Sequence, residues 1–115
     1  MTDKTASYDG TLFDLTEKVA IVTGGGGLLG RELCRALASA GAKVVIADND
    51  KNRIESAVDD IRGMYPKAEL LDQVLDVTDE DSSQACVDAV VTEFGRIDVL
   101  VNSAAIDPKF DKSLM

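Results

Sequence analysis

Histidine is missing from this 115-residue chain. Without an imidazole, histidine-based acid–base catalysis and histidine metal ligation are excluded within it, and no metal site is expected. Cysteine is scarce: Cys34 and Cys86 match no zinc spacing, lie in separate helical patterns and read as small buried hydrophobes. No apolar run approaches the roughly 20 residues that span a bilayer, so no membrane partner is expected. Met1–Gly10 is polar, carries acidic residues and lacks the apolar centre of a signal peptide. A cytoplasmic location follows as the expectation. Basic residues are outnumbered, 12 Lys and Arg against 21 Asp and Glu, for a net charge of −9. That balance argues against nucleic acid or an anionic membrane as partner. A pocket built of backbone N–H groups can still hold a phosphate, so acidity does not speak against a dinucleotide.

What is present is glycine, concentrated in Thr23-Gly24-Gly25-Gly26-Gly27-Leu28-Leu29-Gly30. This stretch follows the apolar run Val19-Ala20-Ile21-Val22 and opens a helical pattern at Leu29, Leu33 and Leu37. A strand feeding a glycine turn and then a helix is suited to a dinucleotide pyrophosphate. Bare backbone approaches the phosphates closely, and the helix start offers unpaired N–H groups with positive dipole character. Asp48, ending the next strand 18 residues past Gly30, stands where a ribose-binding carboxylate is expected.

The chain divides into a polar lead-in over 1–16, a dinucleotide-binding domain over 17–106 and a short tail over 107–115. In the lead-in, Phe13 and Leu15 are placed to pack where the chain enters the first strand. Strands and helices then alternate, the pattern of a parallel sheet covered by helices. Strands are expected at 18–23, 43–48, within 68–75 and at 97–101, and helices at about 28–40 and 51–64, with a third opened by Thr78 as N-cap and closed by Gly95. The third helix is expected to bury Val87, Val90, Val91 and Phe94. Right-handed crossovers give an α/β, Rossmann-like parallel sheet of order 3-2-1-4, with two helices on one face and one on the other. Cys34 and Cys86 then lie on opposite faces and form no disulfide. The strand order reverses between strands one and four, and Gly24–Gly30, Asp48, Asp76 and Asn102 all fall at that crevice.

These residues carry a family resemblance. Lys18–Gly24, the glycine turn, Asp48, Asp76-Val77-Thr78-Asp79, Phe94–Val101 and Asn102-Ser103-Ala104-Ala105 together resemble the N-terminal half of a short-chain dehydrogenase/reductase, over residues 13–106. The resemblance implies a cofactor site. Gly24, Gly27, Leu29 and Gly30 would bracket the pyrophosphate, with Thr23 and Gly26 also among the cofactor-binding residues, and Asp48 would accept from the adenosine ribose hydroxyls. Asp76 and Val77 would contact the adenine, and Asn102 and Ala104 would lie along the nicotinamide-side ribose. The family turn T-G-x-x-x-G-x-G is altered: Leu28 takes the second glycine's place and Gly27 gives G-x-x-G-x-x-G spacing. Ala105 also replaces the glycine of N-N-A-G, putting a methyl group where backbone usually runs bare. A 2′-phosphate beside Asp48 would meet like-charge repulsion of about 1–4 kcal/mol. Asp50 adds to it, while Lys51 and Arg53 soften it. The expected cofactor is NAD, with NADP disfavoured.

The family's catalytic Tyr-x-x-x-Lys is not matched, because Leu12 and Glu69 stand four residues past Tyr8 and Tyr65. The expectation is the NAD-binding portion of a short-chain oxidoreductase, moving hydride between nicotinamide and an alcohol or carbonyl substrate, with its catalytic half absent and this chain alone inactive. A small-molecule substrate would enter only with that half supplied. The alternative is a non-catalytic NAD-binding or interaction module; a methyltransferase accounts for the glycine turn but not for Thr23-Gly24 with Asn102–Ala105. The sheet reads as truncated after strand four. Val99 and Val101 are expected on a bare edge that promotes self-association.

Overall fold

Strand β1 (Val19–Thr23) and strand β2 (Lys43–Asp48) form the middle of the sheet because nearly every side chain they carry is apolar and both faces are covered. The computed structural model describes residues 14–104. Phe13, Tyr8, Ala105 and the 107–115 tail lie outside the described residues. Helix α1 (Leu28–Ser39) follows β1, helix α2 (Lys51–Met64) follows β2, and strand β3 (Leu70–Val74), helix α3 (Glu80–Phe94) and strand β4 (Val99–Asn102) complete the order. The strands are parallel and ordered β3-β2-β1-β4, as the crossover argument requires.

Alternation along the central strands sorts the core into two layers. Val22, Val44 and Ile46 meet Cys34 and Ala38 of α1 and Ile54, Ala57 and Ile61 of α2. Val19, Ile21, Val45 and Ala47 meet Leu75 and Cys86 and Val90 of α3 on the other face. The two cysteines are therefore separated by the sheet, and both are free thiols. Burial pushes the Cys34 thiol up to about 12. The buried stripe of α1 is Gly30, Cys34 and Ala38, while Leu33 and Leu37 flank it and Leu29 is exposed. Small residues on the contact line let the helix axis approach the sheet closely.

Four expectations about α3 and β4 are corrected. Asp79, not Thr78, caps α3: its carboxylate accepts from the Asp81 N–H at 3.0 Å. Thr78 is already committed, since its N–H and hydroxyl both donate to Asp76 Oδ1 at 2.9 and 2.6 Å. Val87 and Val91 are exposed, because the ridge seated on the sheet follows the i, i+4 row Cys86, Val90 and Phe94. The row at Val87 and Val91 is turned about 100° from it. On β4 the bare residue is Leu100, 66% exposed, whereas Val99 and Val101 are half-buried. Val101 pairs with Val22 and packs on the α1–α2 layer; Leu100 pairs with Ile21 and faces the α3 side, where α3 does not reach it.

Strand β4 also starts at Val99, later than Ile97, because Asp98 serves as a clamp. Its N–H donates to the Val19 carbonyl and its Oδ2 accepts from the Val19 N–H, both at 2.9 Å. Arg96 donates to both carboxylate oxygens. The Arg96 bonds first, and then the Val19 N–H, hold the Asp98 carboxyl below its ordinary value. A carboxylate with a depressed native pKa adds stability that is complete above its unfolded value, about 4, and is lost as pH falls through the native value. Asp98→Asn is therefore expected to lower Tm at pH 7 and to lower it less at pH 3. Thermal melts across that range check this, and an equal penalty at both pH values would contradict it.

Candidate functional site

The crevice lies where β1 and β4 part to opposite sides of the strand order. The turn after β1 begins with Gly24 at φ +69°, and a Cβ there would come within 2.7 Å of the Ala104 backbone. A side chain is excluded twice over, by the dihedral and by the space. Gly25 N–H then donates to the Ala47 carbonyl at 2.9 Å, and Gly27 N–H to the Gly24 carbonyl at 3.0 Å, fixing the bend between β1 and β2. Gly27 is the N-cap of α1 and offers no side-chain acceptor; the first turn of the helix carries no acidic residue. The first N–H groups of α1 therefore begin without a side-chain cap, at a dipole end that favours an anion. Leu28 does not fold this bend shut. It stands 92% exposed, and the spacing Gly24, Gly27, Gly30 makes an open turn.

Asp48 closes β2 and is 4% exposed. Its Oδ2 accepts from the Gly26 N–H at 3.1 Å; its Oδ1 accepts from the Asp50 N–H at 3.0 Å and from Arg53 Nη2 at 2.7 Å. The chain folds this way locally because Asp50 caps α2, accepting from the Asn52 and Arg53 N–H groups. That cap brings the first turn of α2, with Arg53, over the end of β2. The Asp48 carboxylate in turn holds the Arg53 guanidinium above its usual pKa.

The third side comes from the loop after β3. Leu75 is buried, its N–H on the Asp48 carbonyl at 2.8 Å, and Asp76 and Val77 follow at the surface. Asp76 is bound into its own turn: the Thr78 hydroxyl first, then the Thr78 N–H, hold its carboxyl below the ordinary value. On the fourth side, Thr23 Oγ1 donates to Asn102 Oδ1 at 2.9 Å, and Ser103 donates through N–H and hydroxyl to the Thr23 carbonyl at 3.1 and 2.6 Å. These bonds stitch β1 to the end of β4.

The resulting crevice has a volume of about 860 Å³. It gathers Gly24, Gly26, Gly27, Leu29, Gly30, Asp48, Asp76, Val77 and Ala104 from the expected set. Thr23 and Asn102 stand outside the lining and bond each other instead. Arg31, Asn49, Thr78 and Ser103 line it without having been expected among the cofactor contacts, and Arg53 proves to be a direct partner of Asp48. The only signal for Arg31 was its place directly after Gly30, which brings the first turn of α1 to the bend. A cradle of this size, with uncapped N–H groups at one wall and a buried carboxylate at another, fits an adenine dinucleotide.

The comparisons with known proteins agree. Residues 18–114 match the short chain dehydrogenase family pattern. A short chain dehydrogenase/reductase of Colletotrichum higginsianum is 40% identical over 97 residues, which are 84% of this chain and 35% of that protein. Levodione reductase of Leifsonia aquatica is 39% identical over 94 residues, 82% of this chain and 35% of the reductase. A levodione reductase crystal structure superposes with a TM-score of 0.81 at 37% identity, covering 87% of this chain and 39% of its own. An NAD+-bound xylitol dehydrogenase superposes with a TM-score of 0.71 at 33% identity, over 80% of this chain and 35% of the enzyme. The chain thus spans about a third of the length of these two curated relatives. Proteins of this kind use nicotinamide dinucleotides, and no helix among the described residues is long and apolar enough to cross a membrane. By its pattern, its sheet order and its crevice, this chain belongs to the short-chain dehydrogenase family.

Proposed function

We propose that this chain is the NAD-binding portion of a short-chain oxidoreductase acting on an alcohol or carbonyl substrate. The observation that carries the reading is the convergence of the glycine turn, the uncapped start of α1 and the buried Asp48 on one crevice. Gly24, Gly26, Gly27, Leu29 and Gly30 receive the pyrophosphate, and the Asp48 carboxylate the adenosine ribose hydroxyls. Val77 and Asp76 flank the adenine, and Ala104 borders the nicotinamide-side ribose. When bound, the nicotinamide supplies the hydride chemistry. Tyr65 packs at the end of α2 against the α1–α2 core and takes no part in the crevice. Among the described residues, the proton of the substrate hydroxyl is therefore assigned to none.

NAD is the preferred form. A 2′-phosphate next to the Asp48 carboxylate is repelled, and the polar shell about Asp48 donates its hydrogen bonds to that carboxylate already. Titration calorimetry of this chain with NAD, NADP and S-adenosylmethionine tests the reading. NAD is expected to bind one to one, about five-fold or more tighter than NADP, since about 1.4 kcal/mol of repulsion is tenfold, and S-adenosylmethionine not at all. Heat with S-adenosylmethionine and none with NAD would end it.

A further inference from the structure

Asp48 has fewer free acceptor positions than a ribose diol needs. A carboxylate offers about four lone-pair sites. Three are taken, one by Gly26 N–H on Oδ2 and two by Asp50 N–H and Arg53 Nη2 on Oδ1. The two backbone donors are built into the turn and the α2 entry. Arg53 is the removable one: its side chain is half exposed, against 3% for Asp48, and it rests also on Asn49 Oδ1 at 3.0 Å. The same arginine lies against the glycine turn, since a Cβ on Gly26 would meet Arg53 Cβ at 2.7 Å. Arg31 reaches Gly26 from the other direction, donating from Nη2 to its carbonyl at 3.3 Å, while its Nε is buried without a partner. Arg53 and Arg31 thus both border Gly26, whose N–H is held by the Asp48 carboxylate.

We propose that Arg53 moderates the discrimination that Asp48 imposes between a free and a 2′-phosphorylated adenosine ribose. It occupies Asp48 as an internal ligand, and a ribose that takes both carboxylate oxygens releases it. The released guanidinium remains tethered beside the 2′ position, where a fork of N–H donors suits a phosphate. Arg53 therefore weakens NAD binding by competing for Asp48 and strengthens NADP binding by meeting its phosphate. Discrimination between the two is smaller than Asp48 alone would impose. This inference rests on the dinucleotide reading of the crevice.

The test is calorimetric affinity of the whole chain for NAD and for NADP, in wild type, Arg53→Met and Arg53→Lys. Methionine keeps the apolar stem against Gly26 and removes the fork; lysine keeps a cation and loses the planar geometry. Arg53→Met is expected to tighten NAD by about 2–5-fold, the range of an exposed ion pair, and to weaken NADP by about ten-fold through loss of a charged phosphate contact. Arg53→Lys is expected to fall between, and carries the comparison if the methionine variant does not fold. A residue with a purely structural role would shift both affinities together and leave their ratio unchanged. NAD binding with an unchanged ratio in both variants overturns the role of Arg53 and leaves the dinucleotide reading intact. Wild-type protein that binds neither nucleotide overturns both.

Discussion

Gly30→Ala is expected to unfold the glycine turn and, with it, much of the domain. The first buried residue of α1 sits so close to the bend that an added Cβ would lie 2.0 Å from the Gly24 carbonyl oxygen and 2.7 Å from its carbon. Both are backbone atoms, so no rotamer change relieves the overlap. Either α1 lifts from the sheet, opening the Cys34 and Ala38 contacts, or the turn shifts and loses the Gly27 to Gly24 hydrogen bond. Overpacking of this kind costs about 3 kcal/mol or more when backbone must move. A domain of this size holds only about 5–15 kcal/mol in total. Gly27→Ala is the informative contrast. Its Cβ would meet only the Gly24 carbonyl at 3.4 Å, an ordinary contact, and its φ of −78° suits any residue. Stability should change by about 1 kcal/mol or less. Its new methyl group nevertheless stands at the anion-facing start of α1, so NAD affinity should fall about ten-fold or more, or roughly 1.4 kcal/mol. Thermal melts and nucleotide titrations of the pair separate folding from binding; equal melts for the two variants would refute the steric account.

Asp48→Ala is the second large effect. The carboxylate joins the glycine turn, the α2 entry and Arg53, and it is almost wholly buried. Removing it strands two backbone donors in the crevice wall. Hydrogen bonds to a charged acceptor contribute roughly 1.5–3 kcal/mol each, and the half-exposed Arg53 pair is discounted because solvent screens it. A loss of about 2–4 kcal/mol in stability is expected, together with loss of measurable NAD binding. Asp48→Asn retains one oxygen for the Gly26 or Asp50 N–H but turns an amide donor toward the other. It should therefore melt between wild type and alanine while binding NAD nearly as poorly as alanine does. Denaturant unfolding and calorimetry on the three proteins establish the order. An asparagine variant with wild-type affinity would remove Asp48 from the ribose site.

The sheet order was legible because β1 and β2 are continuous apolar runs, each followed by an amphipathic helix of crossover length. The crevice followed from that order, since residues at the ends of parallel strands must meet where the order reverses. Less was legible at the surface of α3. Four apolar positions on a helix do not say which i, i+4 row seats on the sheet, and Val87 and Val91 lost to Cys86 and Val90. Thr78 and Asp79 are both good capping residues, and only the Asp76 turn decides between them. The pairing of Arg53 with Asp48 was visible as proximity in sequence alone. Its 2.7 Å contact depends on how Asp50 caps α2.

The clamp between Asp98 and Val19 spans 79 positions of chain, and β1 borders β4 directly. During synthesis, the ribosome delivers the central strand early and one of its two neighbours late. Until Val99–Asn102 have been made, Val19–Thr23 has no strand to pair with on that side. Maturation then waits on a distant closure, which is slow for chains dominated by non-local pairing.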